Sequence, residues 1–484
     1  MNYRMIGNIL GKVLLVAAAF MLPALLISLF RAETASALAF AASMAVIAAV
    51  GVPLAFAVKP QKKDIFARDG LMAVGLAWLL VSMFGALPFL LSGAIPNYID
   101  CLFETASGFT TTGATILSEI ESLPWGVLYW RSFTHWLGGM GVLVFLLVLH
   151  PLTSRNSGEN MHLLRAESPG VRVSKLVPRM KDSASILYLI YIALTVLMFL
   201  FLVAGSVPVF DSLTLSFGTA GTGGFAIRND SMASYSAYAQ WVVAAFMFLF
   251  GVNFNVYFLL LLRQVRKAAK NEELRGYACI VFIAVVLILL NTSNYFESFG
   301  EGLRHSTFQV LSILSTSGFV TTDFDLWPQL SRTVLVLLMF IGACAGSTGG
   351  GAKVVRIQLM LKTARRSVYR AFHPNAVRLI HQDDEIVDDA TVSSVSAYFL
   401  VYFLILAGST LLISIDGHSL ETNFTAAVSC MNNVGPGMAG VGATQNYAAF
   451  SGFSKIVLTL TMLIGRLEIY PMLALFIPSA WKRR

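Results

Sequence analysis

Long apolar segments recur along the whole chain, and only short polar stretches separate them. A helix needs roughly 20 residues to cross a hydrocarbon core of about 30 Å. Ten segments meet this requirement, near residues 8–30, 36–58, 70–92, 125–150, 184–208, 237–262, 276–295, 331–361, 392–415 and 453–480. Because further spans follow the first one immediately, we interpret it as a retained helix and not as a cleaved signal peptide. The pattern predicts an all-α integral membrane protein with about ten membrane helices.

Four shorter apolar stretches do not fit this pattern. They lie near residues 99–111, 210–220, 304–315 and 421–432, each between two of the long segments. A helix of about 12 residues reaches only ~18 Å, so it enters a membrane without crossing it. Irregular backbone at membrane depth is tolerated only where it is buried in protein or lines a water-filled path. We therefore predict four re-entrant pore helices, each followed by an extended return.

A glycine-containing tract follows each short stretch and gives the chain an internal repeat. The tracts occupy residues 108–115, 218–225, 314–321 and 431–438 and are aligned on Gly113, Gly223, Gly318 and Gly435. A second set of glycines lies 28 residues later in the first three units and 30 later in the fourth, at Gly141, Gly251, Gly346 and Gly465. The repeat predicts two N-terminal helices (residues 1–68) and then four helix–pore loop–helix units around one pore, at 69–182, 183–274, 275–389 and 390–484.

The composition of the tracts indicates an ion-binding backbone. Carbonyl oxygens can replace the water that a potassium ion loses on entering a pore, and glycine adopts backbone angles that such a strand often requires. Acidic residues near the outer starts of the short helices are expected to concentrate cations at the mouth. Ordinary glycine-rich turns are the alternative, but they do not explain four tracts at matched depth. The residues predicted to bind potassium are Thr111, Thr112, Gly113, Gly221, Thr222, Gly223, Thr316, Ser317, Gly318, Asn433, Val434 and Gly435.

The distribution of basic residues predicts the orientation of the chain. With the N-terminus inside and alternating spans, 27 of the 34 lysines and arginines fall in inside segments and 6 in outside segments. Cytoplasmic loops carry such an excess, so both termini are predicted to lie in the cytoplasm. The same distribution explains the net charge of +8 without any binding of nucleic acid.

Several classes of function are excluded by what the sequence lacks. Its four cysteines have no metal-ligand spacing, so neither a structural metal nor a cofactor is predicted. There is no zinc-hydrolase motif and no span with two well-placed acids, so the chain is not predicted to be an enzyme. A secondary transporter driven by protons or sodium remains the alternative, although such transporters usually repeat in two halves.

One long segment is interrupted, and one contains a charge. Gly346, Ser347, Thr348, Gly349, Gly350 and Gly351 interrupt the segment at 331–361. This stretch lacks the Gly-Lys-Ser/Thr of a phosphate-binding loop. Two interpretations remain, a flexible kink in a long helix or a gate. Arg466 in the last segment costs roughly 2.5–3.5 kcal/mol to insert, so it either pairs with an acid on another helix or faces the pore. His135 is interpreted as a hydrogen-bonded packing residue.

These tracts resemble those of the Trk/Ktr/HKT superfamily of potassium transporters, and most closely those of the membrane subunit of bacterial Trk systems for potassium uptake. The resemblance covers essentially the whole chain. It implies a pore within one polypeptide, with one filter glycine per unit, and Gly113 resembles the potassium-selective members. It gives residues 346–351 the role of an intramembrane gate and places Arg466 in the pore. It also implies a homodimer in the bacterial inner membrane, controlled by a cytosolic ring of nucleotide-binding regulatory subunits.

Overall fold

The computed structural model describes residues 2–57, 67–141, 180–383 and 385–481. Within these ranges the chain is almost entirely helical. The strands Ile380–Gln382 and Glu385–Val387 form the single hairpin there, with Ile380 opposite Val387. Minor elements are the helices Val265–Lys270 and Pro478–Trp481 and the 3₁₀ turns Phe324–Leu326, Ser414–Asp416 and Ala439–Val441.

The N-terminal part forms a closely packed helical hairpin. Its first span consists of Tyr3–Phe20 and Leu22–Phe30, and the second of Thr34–Val52 with a π-turn over Pro53–Ala57. The first span restarts with proline in its first turn, a position that proline tolerates because no helical N–H is needed there. A side chain at Gly11 would lie 2.4 Å from the backbone nitrogen of Ala55, so the two helices meet backbone to backbone.

Four units follow, each with an outer helix, a short helix and an inner helix, which we number by unit. Outer helices 1–4 are Ala67–Gly85 (continued by Leu87–Leu91), Met180–Ala204, Glu272–Asn291 and Asp389–Ile413. Short helices 1–4 are Tyr98–Phe109, Val209–Ala220, Phe299–Leu314 and Leu420–Asn432. Inner helices 1–4 are Trp125–Gly139, Ala237–Gly251, Gln329–Ile341 and Gly452–Arg466. The four predicted short helices are confirmed. The third starts five residues early because Ser298 caps it, accepting the Glu301 N–H.

Six helices in the described ranges are long and apolar enough to cross a membrane unaided. They are Tyr3–Phe30, Thr34–Ala57, Arg68–Leu91, Ser185–Ala204, Glu272–Asn291 and Asp389–Asp416. Inner helix 2 and Phe254–Leu261 meet the same requirement only when taken together, and they are bent by 89° relative to each other. Only 28–33% of outer helices 2–4 is buried, as expected for apolar helices whose remaining surface faces lipid.

The inner helices are broken where the sequence predicted continuous spans over 237–262 and 453–480. Inner helix 4 stops at Arg466, because Glu468 and Ile469 adopt left-handed backbone angles, and helix resumes at Tyr470–Phe476. Inner helix 3 resumes only at Val354–Phe372. Residues 142–150, the predicted continuation of inner helix 1, lie outside the described residues. The inner helices of units 2, 3 and 4 are thus all interrupted, and the interruption is longest in unit 3.

Hydrogen bonds join the four units in a ring, and they connect the loops that lie between the short and inner helices. They connect Ile120 N to Asn229 Oδ1 (2.8 Å), Met232 N to Val320 O (2.9 Å), Ala439 N to Asp325 Oδ1 (3.3 Å) and Tyr447 N to Thr115 O (2.8 Å). These bonds link units 1 to 2, 2 to 3, 3 to 4 and 4 back to 1. The four units therefore surround a common axis.

Candidate functional site

The sequence starts all four short helices in a similar way. Asn97, Ser298 and Ser419 cap helices 1, 3 and 4 by accepting N–H groups of the first turn, and Pro208 precedes helix 2. An acidic residue lies in the first turn of each, where it interacts favourably with the helix dipole. These acids are Asp100, Asp211, Glu301 and Glu421. The opposite, partially negative ends lead directly into the glycine tracts.

The four short helices also end alike. Just beyond them, Thr111, Thr222, Thr316 and Asn433 have left-handed backbones with φ between 55° and 62°. The next residue then donates its N–H to a carbonyl oxygen five residues back, which is a common way to close a helix. These bonds, of 2.8–3.0 Å, are Thr112 to Ser107, Gly223 to Gly218, Ser317 to Ser312 and Val434 to Ser429. They identify the equivalent position in every tract.

This register corrects the alignment of the second tract. The residue after each of these N–H donors is a glycine with a left-handed backbone. These glycines are Gly113, Gly224, Gly318 and Gly435, with φ of 79°, 78°, 74° and 103°. The equivalent of Gly113 is therefore Gly224, and the predicted set Gly221, Thr222 and Gly223 begins one residue too early. Sequence alone could not separate the adjacent Gly223 and Gly224, since only the end of the helix distinguishes them.

The left-handed glycines bring the tracts together in a ring. A side chain at Gly113 would lie 1.9 Å from the Gly223 carbonyl oxygen, and one at Gly224 would lie 1.9 Å from that of Ser317. A side chain at Gly318 would lie 2.2 Å from the Val434 carbonyl oxygen, and one at Gly435 would lie 2.8 Å from that of Thr112. Each glycine thus abuts the residue that precedes the glycine of the next unit. Neither the backbone angle nor the space accommodates a side chain without strain or displacement. The tracts meet backbone to backbone in the order 1, 2, 3, 4 and back to 1.

The side-chain oxygens of the tracts are largely engaged within the protein. Thr112 Oγ1 accepts from Asn433 Nδ2 over 3.0 Å, and Thr222 Oγ1 donates to the preceding carbonyl oxygen over 2.6 Å. Thr316 Oγ1 accepts the Gly350 N–H over 2.7 Å. Thr111 Oγ1 and Asn433 Oδ1 are buried and have no hydrogen-bond partner among the described residues. The backbone carbonyls are therefore the main oxygens that the tracts can offer to an ion.

The interruption in unit 3 lies against the inner ends of tracts 3 and 4. It covers residues 342–353, longer than the predicted 346–351, and we call it the intramembrane loop. Besides the bond from Gly350 to Thr316, a side chain at Gly350 would lie 2.4 Å from the Asn432 carbonyl oxygen. Lys353 Nζ donates to the Gly349 carbonyl oxygen within the loop. Residues 346–351 therefore pack directly below two of the four tracts.

The break in inner helix 2 supplies partners for this loop. Helix ends leave backbone groups without helical partners. Here the Gly251 carbonyl accepts the Cys344 N–H over 3.0 Å, and the Phe254 N–H donates to the Gly346 carbonyl over 3.1 Å. The buried carboxylate of Glu273 accepts the N–H of Ala345 over 2.6 Å. The loop is consequently held by units 2 and 3 as well as by the tracts.

Arg466 connects the loop to the first unit. Its guanidinium donates to the Thr348 carbonyl oxygen over 2.8 Å and to the carbonyl oxygens of Gly138 and Gly139 over 2.5 and 2.9 Å. These last two carbonyls belong to the C-terminal end of inner helix 1, where a positive charge is stabilised. The neighbouring acid Glu468 pairs with Arg356 instead. Arg466 therefore binds backbone carbonyls of two units at the level of the loop.

A buried ion pair beside the tracts was not predicted from the sequence. Arg131 Nε lies 2.7 Å from Glu104 Oε1, and the two side chains are only 2% and 0% exposed. Glu104 also accepts from the Ile116 N–H over 3.0 Å and from Thr115 Oγ1 over 2.9 Å. Arg131 is one of the six basic residues counted as outside, and it lies inside inner helix 1. A carboxylate in the middle of a short membrane helix was the signal that could have indicated the pair.

Three of the four acids at the starts of the short helices pair with cationic side chains, which weakens their predicted attraction of cations. Asp100 pairs with Lys455 (2.7 Å), Asp211 with Arg228 (3.3 Å) and Glu421 with Arg332 (2.5 Å), and Glu301 lies 3.9 Å from His305. In the loop after tract 3, burial raises the pKa of the Asp325 carboxyl above its ordinary value. The Ala439 N–H and the Arg332 guanidinium act in the opposite direction and only partly offset that rise.

The second set of glycines, which the sequence aligns 28 to 30 residues after the tracts, does not occupy equivalent positions in units 1 and 4. A side chain at Gly138 would lie 1.8 Å from the Phe109 carbonyl oxygen, and one at Gly465 would lie 2.0 Å from the Met431 carbonyl oxygen. Phe109 and Met431 occupy the same position relative to the left-handed residues of tracts 1 and 4. Gly465 therefore corresponds to Gly138, and the predicted equivalence with Gly141 is wrong.

Comparisons with known proteins agree with this architecture. Residues 36–483 match the family model TrkH, described as a cation transport protein. The Trk system potassium uptake protein TrkH of Halomonas elongata is 35% identical over 493 residues, and its counterpart in Escherichia coli K12 is 34% identical over 490 residues; both alignments cover 100% of each chain. The crystal structure of the potassium transporter TrkH from Vibrio parahaemolyticus superposes with a TM-score of 0.90 at 30% identity, again over the full length of both chains.

Proposed function

Because the chain belongs to the TrkH family of cation transport proteins, we propose that it takes up potassium ions across the plasma membrane through a channel-like pore. The ring of four tracts is the proposed selectivity filter. It consists of Thr111 to Gly113, Thr222 to Gly224, Thr316 to Gly318 and Asn433 to Gly435. Potassium is the transported substrate, and the proposal requires no other cofactor.

The backbone ring formed by Gly113, Gly224, Gly318 and Gly435 carries this proposal. Four carbonyl-bearing strands that meet around one axis supply oxygens to replace the hydration shell of a cation. The short helices direct their partially negative ends toward the tracts, which favours a positive ion. Relatives that align over the whole chain are named potassium uptake proteins, which supports potassium as the ion.

The intramembrane loop is the proposed gate, with Arg466 as the residue that holds it. The contacts of Gly350 with Thr316 and Asn432 support this role, since they bring the loop against the inner ends of two tracts. The three bonds of Arg466 tie the loop to the end of inner helix 1. A loop in this position obstructs the path from the tracts to the cytoplasm and opens it by moving aside.

The resemblance to Trk systems also supports a proposal for the assembly and its control. The protein is proposed to form a homodimer in the bacterial inner membrane, with both termini in the cytoplasm. A cytosolic ring of nucleotide-binding regulatory subunits is proposed to move the loop. The helix Val354–Phe372, which begins directly after the loop and carries exposed basic residues at its far end, is the element such a partner can pull.

Selective flux tests the proposed filter. The purified chain, reconstituted in liposomes, is expected to carry potassium in preference to sodium. Gly113→Ser and Gly318→Ser should reduce that preference, because a side chain would meet carbonyl oxygens at 1.9 and 2.2 Å. Gly93→Ser is the matched control, since Gly93 has a similar φ of 73° but nothing within 4 Å of a side chain. Unchanged potassium/sodium ratios in both tract variants would refute the proposed filter.

The same liposomes distinguish a channel from a coupled transporter. Potassium flux should follow the potassium gradient alone. A strict requirement for an imposed proton or sodium gradient would instead support a secondary transporter.

A further inference from the structure

The second tract lacks a side chain at a position where the other three have one. Thr112, Ser317 and Val434 follow the left-handed residues of tracts 1, 3 and 4, and all three are fully buried. The equivalent residue of tract 2 is Gly223. A buried gap of that size costs stability unless another group fills it.

His135 of inner helix 1 fills this gap. A side chain at Gly223 would lie 2.0 Å from His135 Nδ1 and 2.3 Å from its Cγ, so the imidazole occupies the space of the missing group. A side chain at Gly221 would lie 2.2 Å from the His135 carbonyl oxygen. The tract therefore rests directly on the backbone and the ring of this one residue, which is fully buried.

The same face of inner helix 1 also holds the backbone of tract 2. His135 Nε2 accepts the Phe225 N–H over 3.3 Å, and the two rings lie 4.1 Å apart. Arg131 lies one helical turn earlier, hence on the same face. Its Nη1 donates to the Ala226 carbonyl oxygen over 2.7 Å, and its guanidinium stacks 3.6 Å above the Phe225 ring. Glu104 fixes this guanidinium from short helix 1.

We propose that His135 and Arg131 are positioning residues that set the geometry of tract 2 and so help to determine the potassium/sodium selectivity. This inference rests on the proposed filter function. Tract 2 is supported by a neighbouring unit, because its own sequence of consecutive glycines supplies no side chain for the purpose. The Glu104–Arg131 pair transmits the position of short helix 1 to tract 2 and thereby ties two adjacent tracts together.

Substitutions at His135 separate positioning from simple packing. His135→Leu keeps much of the volume but cannot accept the Phe225 N–H, and the potassium/sodium flux ratio should fall roughly fivefold, the size expected for one lost hydrogen bond. His135→Gln retains an acceptor oxygen at a similar reach, so its ratio should stay closer to that of the unmodified protein. Glu33→Ala is the control, because Glu33 caps the outer end of the same helix through Trp125 and touches no tract. It should lower the melting temperature without changing the ratio.

A double variant tests the shared space directly. Gly223→Ser alone should abolish selective flux, because its side chain would collide with His135. Combining it with His135→Ala recreates the arrangement at Ser317, where the tract carries its own side chain. The double variant should recover a larger potassium/sodium ratio than either single variant. If the double variant is no better than Gly223→Ser, the two residues do not share the proposed role.

The outcomes distinguish this inference from the proposed filter. An unchanged ratio in a folded His135→Leu protein, beside a lowered ratio in Gly113→Ser, would overturn the role of His135 and leave the filter intact. Unchanged ratios in all the tract variants would overturn the filter itself. If His135→Leu does not fold, Arg131→Lys decides the question, because lysine keeps the charge opposite Glu104 but lacks the second nitrogen that binds Ala226. Its ratio should fall as well, and an unchanged ratio would refute the inference.

Discussion

At the residue scale, Arg466 is stabilised by backbone dipoles. An arginine within a membrane helix needs compensation for the water that it loses, and three carbonyl oxygens provide it here. Two of these carbonyls end inner helix 1, and the third belongs to the intramembrane loop. The same bonds that stabilise the charge therefore hold the loop in place.

Replacing Arg466 with alanine should raise basal potassium flux in the absence of any regulatory subunit. The substitution removes the bonds that connect Thr348 to inner helix 1 and also removes a positive charge close to the proposed ion path. Flux into liposomes that contain only this chain measures the effect. Arg366→Ala serves as control, since Arg366 pairs with the exposed Asp389 far from the loop. A well-folded Arg466→Ala protein with flux no higher than the unmodified chain would contradict the proposed role of Arg466 in holding the gate.

At the scale of elements, the broken inner helices have a common consequence. Every break leaves N–H and carbonyl groups without helical partners, and inside a membrane these groups must be satisfied by protein. The intramembrane loop satisfies those of inner helix 2 through Cys344 and Gly346. The break in one unit thus binds the loop of the next unit, so the two interruptions depend on each other.

Deleting Ser347 to Gly350 should raise potassium flux while the potassium/sodium ratio is retained. The deletion removes the bond from Gly350 to Thr316 and the carbonyl that Arg466 binds, but it leaves the four tracts unchanged. Flux and ion ratio in liposomes report the two properties separately. Ser347→Ala is the control, because within the described part of the chain the Ser347 hydroxyl donates only to the Cys344 carbonyl oxygen of the loop. If the shortened protein folds and keeps low basal flux, the gate lies elsewhere.

At the scale of the whole molecule, the N-terminal hairpin supports the first unit. Glu33, in the turn between its two helices, accepts the N–H groups of Trp125 and Gly126 over 2.8 and 3.3 Å. The Arg31 guanidinium lies 3.6 Å above the Trp125 ring. A side chain at Gly126 would lie 2.0 Å from Ser28 Oγ, so inner helix 1 packs closely against the hairpin. The helices that precede the repeats therefore fix the start of inner helix 1.

Glu33→Ala should destabilise the protein by about 1 kcal/mol, which is typical for the loss of a helix cap. A lowered melting temperature in detergent checks this, and Glu33→Gln should lose less because it keeps one acceptor oxygen. The ion ratio should not change, since the capped end of the helix lies away from the tracts. A melting temperature equal to that of the unmodified protein would show that water replaces the carboxylate without cost.

Local patterns in the sequence determined the membrane class, the four short helices and the approximate position of every tract. Helix length, capping residues and glycine content act within a few residues of one another, so they can be read along the chain. The comparisons confirmed the family, and the structure confirmed the short helices within a few residues.

Only the tertiary structure decided which glycine of tract 2 is equivalent to Gly113, where the inner helices break and which groups bind Arg466. Gly93 and Gly113 have nearly the same backbone angle, yet only Gly113 lies against a carbonyl of another unit. Likewise, Glu104 and Arg131 are 27 residues apart in the chain, and Arg466 binds carbonyls 118 and more than 300 residues away. Such contacts depend on how the four units pack around their axis. That packing arises from many weak interactions between distant segments, and no local pattern in the sequence records it.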